Sequence, residues 1–308
     1  MKYSINEERP GVWFVDLKVG GEEEYTGAYI VASGKEVVLV EAGPASTHEN
    51  MLGALSEIGF GPESVKYILL THVHLDHGGA AGNLITHLPN AYVVAHQRGI
   101  EHLINPETML WKAANEVLGF VATIYGKPEP VARERIIPVA ERLSLTLGKL
   151  NFEIIPTPGH ASHHVCILLY PANIVFTGDA AGIYIPSSDV VLPATPPPFK
   201  LAHALRSLDT LVKLEPKLAA YTHFNISGRA KEKLKKHCDQ LVVWYECAKE
   251  IIDGGIEKEE EMFDLIARRD SDLKKFVRVS DKLGGLRRGV STSLRGFLQI
   301  AQEEGNGV

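Results

Sequence analysis

The chain has little cysteine, no basic excess and no long apolar run. Cys166, Cys238 and Cys247 are odd in number and lack metal-ligand spacing, and a helical separation of nine sets the last two on opposite faces. A disulfide framework is thereby excluded, and a reduced cytoplasm is the expected setting. Lys+Arg number 32 against 38 Asp+Glu, a net charge of −6, so the electrostatic term that drives binding to phosphate backbones is missing and no nucleic acid is expected as partner. The longest apolar stretches, such as Val165 to Tyr170, fall far short of the about 20 residues that span a bilayer. The opening MKYSINEERPG has no apolar core of a signal segment, so neither membrane nor secretion is expected.

What is present is enough for a large α/β core: 308 residues, 45% of them hydrophobic. Runs rich in β-branched and aromatic residues at Trp13 to Val19, Tyr29 to Ala32 and Val37 to Glu41, separated by Gly-Gly and Ser-Gly, predict an antiparallel meander. A helix from Ser46 to about Ile58, the run Tyr67 to Leu70, a helix from Gly79 to Leu88 and the run Ala91 to Ala95 follow as a β-α-β unit. Arg98 to Tyr125 reads as helical with bulky side chains, an insertion at about 98–127 ended by Lys127-Pro-Glu-Pro130. A second series of strands follows at Leu143 to Leu147, Phe152 to Ile155, Val165 to Tyr170, Ile174 to Thr177 and Leu218 to Thr222, with a helix at Leu201 to Leu214. Two sheets, each covered by helices, pack as a four-layer α-β-β-α sandwich over 1–228. From Arg229 the pattern is helical only (Ala230 to Ile252, Lys258 to Arg269, Ser271 to Val279, Thr292 to Glu303), which makes 229–308 a helical extension on the core.

Chemistry concentrates after the run ending at Leu70, where Thr71-His72-Val73-His74-Leu75-Asp76-His77 places four metal-capable side chains within six residues. His72 and His74 share a side of an extended segment, and the turn that follows swings Asp76 and His77 to a second position nearby, a spacing suited to two adjacent cations. Further ligand types stand at later strand ends: His160 in Pro158-Gly-His, Asp179 in Thr177-Gly-Asp, and His223 after Thr222. Strand ends converge on one rim in α/β architectures, so five His and two Asp meet there.

These motifs, in this order, resemble those of the metallo-β-lactamase superfamily from about Val12 to Phe224. The resemblance implies the family's α-β-β-α fold and a binuclear site in which His72, His74 and His160 hold one divalent metal ion, Asp76, His77 and His223 hold the other, and Asp179 bridges. Imidazole and carboxylate suit zinc; iron and manganese fit the same set. Glu41 stands where the family has an Asp that orients ligand histidines from behind. Asp179 argues against true β-lactamase activity, and the Ala180-Ala-Gly-Ile-Tyr184 stretch lacks the basic, cysteine-containing segment of glyoxalase II. The branch most resembled is that of lactonases and phosphoesterases: a hydrolase of phosphoester, lactone or related ester bonds acting through a metal-bridging hydroxide, with Asp76 orienting it and passing a proton to the leaving group. Alternatives are a thioesterase of glyoxalase II type and an iron oxidoreductase resembling persulfide dioxygenases, with His74, His160 and Asp179 on one iron. The expected partner is a small-molecule ester; a homodimer stays open. His163 or His164 is expected to contact substrate or to hold a ligand, and Trp111, Phe120 and Tyr184 to border the substrate mouth or merely pack. His48, His87, His96, His102, His203 and His237 are read as satisfied surface or helix-end residues.

Overall fold

The computed structural model describes residues 2–277 and 284–305. One sheet runs in the order β1 (Ser4–Arg9), β2 (Val12–Asp16), β3 (Gly27–Ser33), β4 (Glu36–Val40), β5 (Val65–Leu69), β6 (Tyr92–His96) and β7 (Ile136–Val139). Strands β2 to β4 form the expected antiparallel meander, β1 adds to it antiparallel at the edge, and β4 to β7 are parallel. The second sheet contains β8 (Leu143–Leu147), β9 (Leu150–Pro156), β10 (Val165–Tyr170), β11 (Ile174–Phe176) and, beyond a separate ribbon of β12 (Ile183–Ile185) and β13 (Val190–Leu192), β14 (Leu218–Tyr221) and β15 (Asn225–Ser227).

The two-residue period of the strands explains the layers. On β3, Tyr29 and Val31 face the second sheet while Ala28 and Ile30 face helices; on β10, Ile167 and Leu169 face the first sheet while Cys166 and Leu168 face helices. Strands buried on both faces read as continuous apolar runs. The helices over the first sheet are α1 (His48–Glu57), α2 (Leu75–Gly78), α3 (Ala81–His87), α4 (Ile100–Ile104), α5 (Lys112–Leu118) and α6 (Phe120–Tyr125). Over the second sheet lie α7 (Leu201–Lys213), α8 (Ala230–Asp253), α9 (Glu259–Ala267), α10 (Ser271–Val277) and α11 (Gly284–Gly305). This is the four-layer α-β-β-α sandwich with a helical C-terminal region. Among the described residues no helix is long and apolar enough to cross a membrane.

One expectation needs correction. The helix placed at Gly79 to Leu88 starts earlier, as the single turn α2, so Asp76 and His77 already sit on helical backbone. The insertion is helical in several pieces: a π turn at Glu107–Trp111 and Gly119, with φ of 55°, divide it into α4, α5 and α6. The stretch around Pro186 is the turn of the β12–β13 hairpin. The helix expected at Ser271 to Val279 is seen to Val277; 278 and 279 lie outside the described residues.

Candidate metal centre

The C-terminal ends of β4, β5, β9, β11 and β14 share one rim, and each delivers a side chain to one buried cluster. Glu41 follows β4, His72 and His74 follow β5, His160 follows β9, Asp179 follows β11, and His223 follows β14. Asp76 and His77 arrive from α2. All seven expected donors thus come together. His72, His77, His160, Asp179 and His223 are buried; His74 and Asp76 stand on the open side.

The ring tautomers follow from the outward hydrogen bonds. His160 Nδ1 donates to the Ala194 carbonyl at 2.7 Å and His223 Nδ1 to the Tyr25 carbonyl at 2.7 Å, which leaves each Nε2 as an acceptor facing the site. His77 Nδ1 donates to Glu41 Oε1 at 2.9 Å. Thr71 Oγ1 gives its proton to Glu41 Oε1 and so accepts from His72 Nδ1 at 3.1 Å. Whenever His72, His77, His160 and His223 are neutral, the atom each turns to the site is therefore the Nε2 lone pair. His74 Nδ1 lies 3.0 Å from both His72 Nε2 and His160 Nε2. His77 Nε2 lies 3.3 Å from His223 Nε2, and Asp76 Oδ2 lies 3.8 and 3.5 Å from those two nitrogens.

Asp179 stands between the sets. Its Oδ1 is 3.3 Å from His77 Nε2 and 3.6 Å from His223 Nε2, while Oδ2 is 3.4 Å from His160 Nε2. Oδ1 is buried without a hydrogen-bond partner. Two ligands about 2.1 Å from a tetrahedral cation lie about 3.4 Å from each other, so the spacing fits cations bound among these atoms. Three groups of donors are close enough to hold an ion: His72 with His74 and His160, Asp76 with His77 and His223, and Glu41 with His72 and His77. In the last group Glu41 already accepts from the Thr71 hydroxyl, His77 Nδ1 and the Thr222 hydroxyl through Oε1, and from the Thr71 backbone N–H through Oε2. Its lone pairs are committed, so it orients the others. It does so from a left-handed backbone, φ 71°, rare for a residue with a Cβ.

Charge distributes unequally. Burial, reinforced by neighbouring imidazoles, pushes His72 well down and His74 down to about 3, so both are neutral. Burial would likewise lower His77 and His223, but the Asp179, Glu41 and Asp76 carboxylates override it at His77, and Asp179 and Asp76 override it at His223, so both are raised. The same pairing outweighs burial at Asp76 and Asp179 and holds both carboxyls well below their usual range. The cluster is built to receive positive charge.

Other expected residues lie elsewhere. Phe120 is 76% exposed, Trp111 packs half-buried against the helical core over the first sheet, and Tyr184 is turned toward the C-terminal helices, its hydroxyl donating to Asp189 Oδ1 at 3.1 Å. None of the three joins the cluster. His163 stacks over His72 with ring centroids 6.2 Å apart, and its Nδ1 is buried without a partner. His164 is wholly buried: its Nε2 accepts the Asp179 backbone N–H at 3.2 Å and its Nδ1 donates to Thr157 Oγ1 at 2.9 Å, which fixes the loop carrying Asp179. His96 is buried yet a satisfied helix-end residue, its Nδ1 accepting the Arg98 N–H at 3.1 Å, whereas His237 is buried inside α8. Two residues with no signal of their own also belong here. Tyr25 turns its carbonyl to His223, and Tyr125, at the end of α6, hydrogen-bonds the Tyr25 hydroxyl at 2.7 Å.

The C-terminal helices reach the cluster from behind. Ser293 of α11 donates to the Pro193 carbonyl and accepts the Thr195 N–H, pinning the Ala194 carbonyl that orients His160. A Cβ at Gly296 would fall 1.9 Å from the Thr195 carbonyl oxygen, so only glycine admits this approach.

Comparison with known proteins decides the family: the model of the metallo-beta-lactamase superfamily matches residues 22–223, more than half of the chain. The chain belongs to that superfamily. The metallo-beta-lactamase fold-containing protein ST1585 of Sulfurisphaera tokodaii is 29% identical over 238 residues, 76% of this chain and 85% of that protein. The crystal structure of ST1585 superposes with a TM-score of 0.66 over 90% of this chain and 93% of its own, at 24% identity. That of the family protein TTHA1429 from Thermus thermophilus gives 0.67 over 97% and 95%, at 22% identity. These two likenesses show the fold. The N-acyl homoserine lactonase AttM of Rhizobium radiobacter is 29% identical over 130 residues, 41% of this chain, and the thioesterase pkgB of Emericella nidulans is 25% identical over 159 residues, 50% of this chain. The chain spans 45% of the former's length and 35% of the latter's.

Proposed function

We propose that this protein is a binuclear metal-dependent hydrolase that cleaves phosphoester, lactone or related ester bonds of small molecules. One observation carries the reading: the two oxygens of the Asp179 carboxylate face two separate donor sets, one toward His77 and His223 and one toward His160. A carboxylate so placed would serve two cations at once, one that His72, His74 and His160 would hold and one that Asp76, His77 and His223 would hold. Zinc suits this all-nitrogen and oxygen set, and nothing in it rejects iron or manganese. Bound cations would supply Lewis acidity, which acidifies water and polarises an ester-type oxygen.

The chain's own residues do the rest. Glu41, Thr71 and the Ala194 and Tyr25 carbonyls fix the imidazoles so that lone pairs point inward before any ligand arrives. Asp76 is on the open side, 21% exposed and held ionised by His77 and His223 against its burial. It is the group placed to take a proton from an attacking water and return it to the leaving oxygen. Among the described residues no serine or cysteine belongs to the cluster, which favours direct attack by water over a covalent intermediate on the chain.

Kinship with a named lactonase supports ester bonds of the lactone kind, and kinship with a named thioesterase supports a second reading, hydrolysis of thioesters. The test is a panel of phosphodiester, phosphotriester, lactone and thioester substrates, with metal analysis of protein purified from its own host. Turnover of an oxygen ester that vanishes on chelation and returns with zinc or manganese is the expected result. Preference for thioesters alone would move the assignment to the second reading, and full activity in metal-free protein would overturn both.

A further inference from the structure

The insertion returns to the core at one point. Helix α6 packs against α2, the turn that carries Asp76 and His77, and ends at Tyr125, which is 5% exposed. Gly126 follows with φ of 79°, and a Cβ there would stand 3.1 Å from the Ser46 backbone nitrogen; the left-handed turn brings the tyrosine in against the rim. Among the described residues the only hydrogen-bond partner of the Tyr125 hydroxyl is the Tyr25 hydroxyl, 2.7 Å away. Tyr25 in turn is fixed to the cluster, its carbonyl taking the His223 ring proton at 2.7 Å. A phenol both donates and accepts. When Tyr25 donates to Tyr125, the Tyr125 proton is left for a further acceptor, and α6 packs on the turn that carries Asp76, whose charge acts on this phenol.

We propose that Tyr125 is a further substrate-binding residue of this site, donating its phenolic O–H to the anionic oxygen of a phosphoryl or leaving-group alkoxide beside Asp76. The proposal deepens the hydrolase reading and rests on it. Burial, followed by the charges of Asp76 and Asp179, raises the phenol well above its ordinary range, so Tyr125 keeps its proton at working pH and stays a donor. The O–H bond remains intact: the residue stabilises charge by a hydrogen bond and transfers nothing. An acceptor carrying negative charge is the one for which such a bond is strongest, which favours oxygen esters with poor alkoxide leaving groups.

Inorganic phosphate is the probe, titrated calorimetrically into zinc-loaded wild-type protein, Tyr125→Phe and Tyr25→Phe, with zinc content and melting temperature measured on each. Tyr125→Phe keeps the ring and deletes only the hydroxyl. Its phosphate Kd should rise about tenfold with zinc content and melting temperature unchanged, as loss of one hydrogen bond to a charged group implies. Tyr25→Phe should raise it by a few-fold at most. On ester substrates the kcat loss of Tyr125→Phe should grow with the pKa of the leaving alcohol. A phosphate Kd within twofold of wild type, no millimolar phosphate binding by wild type, or zinc loss from Tyr125→Phe would each overturn the proposal. Failure of wild type to hydrolyse any oxygen ester would instead defeat the hydrolase reading, and the phosphate titration would still decide the role of Tyr125.

Discussion

Asp179 and Asp270 are both carboxylates almost wholly buried, and they meet that burial in opposite ways. Asp270 Oδ2 accepts from Gln240 Nε2 at 2.8 Å and Trp244 Nε1 at 2.7 Å, and Oδ1 accepts the backbone N–H groups of Asp272 and Leu273, capping α10. Every oxygen there meets a donor. Around Asp179 the oxygens meet the Nε2 atoms of His77, His223 and His160, rings whose Nδ1–H groups point away to Glu41, Tyr25 and Ala194, so that each Nε2 is an acceptor until it takes a proton or another cation. A buried network that pairs donors with acceptors is complete as protein. One in which acceptors converge on acceptors is complete only with a positive charge among them, and that difference separates scaffold from site.

The contrast is sharpened most by deleting each carboxylate. Asp179→Ala should lose metal from both donor sets and lower ester hydrolysis by about 1000-fold or more, since it removes the group common to both. Metal analysis of the purified variant reads this directly, and retention of two ions per chain would break the comparison at its first term. Asp270→Ala should do the reverse. It strands Trp244 Nε1–H and one of the two Gln240 Nε2 protons without an acceptor, the other staying on the Val191 carbonyl, and removes the cap of α10, which together cost about 3 kcal/mol of stability. Metal content should stay that of the wild type, measured alongside chemical unfolding; loss of metal would show that the scaffold network belongs to the site.

Glu41 lies between the extremes, a closed network serving an open one. In Glu41→Gln one of the acceptor oxygens becomes an NH2 group facing the Thr71 or His77 donors, so His77 loses its fixed tautomer. Metal affinity should fall about 10- to 100-fold without loss of fold, as read by competition against a chromophoric chelator. An unchanged affinity would reduce Glu41 to a strand-end anchor.

The two clusters also differ in how legible they are. All seven donors around Asp179 are visible in sequence because each sits directly after an apolar strand run, where the type and spacing of residues carry the information: His72, His74, Asp76 and His77 in one stretch, then His160, Asp179 and His223. The Asp270 network is assembled by packing of α8, α10 and the β12–β13 ribbon, and no local pattern marks His237, Gln240 or Trp244 as partners of a residue some thirty positions away. Tyr125 is invisible for the same reason. Among strands, those unread were β1, β7 and β15, besides the short ribbon, and all three lie at sheet edges. Edge strands bear polar residues and proline, as in Ser4–Arg9 and at Pro138, because one side of their backbone has no neighbour to satisfy. The apolar signal weakens where the sheet ends.

The smallest effect expected is a pH dependence that belongs to the closed network alone. Gln240 Nε2 donates to the Val191 carbonyl and to Asp270, so its Oε1 is left to accept from His237 Nδ1 at 2.8 Å, and His237 is a neutral ring with one committed proton. Burial pushes its pKa down to about 4; the Gln240 hydrogen bond and the charges of Asp270 and Asp272 oppose this without reversing it. In the unfolded chain the ring takes a proton near pH 6.5. Between pH 6.5 and about 4 the unfolded state therefore binds the extra proton, and the stability His237 contributes is full above pH 6.5 and declines as the pH falls toward 4. At 1.36 kcal/mol per unit, about 2 kcal/mol should be lost between pH 6.5 and 5. Because the metal ligands titrate alike in wild type and His237→Gln, the difference between their unfolding free energies across this window isolates the one ring. It should shrink by that amount as the pH falls, and a constant difference would mean that His237 exchanges its proton with solvent in the folded state, so that the network around Asp270 is not closed.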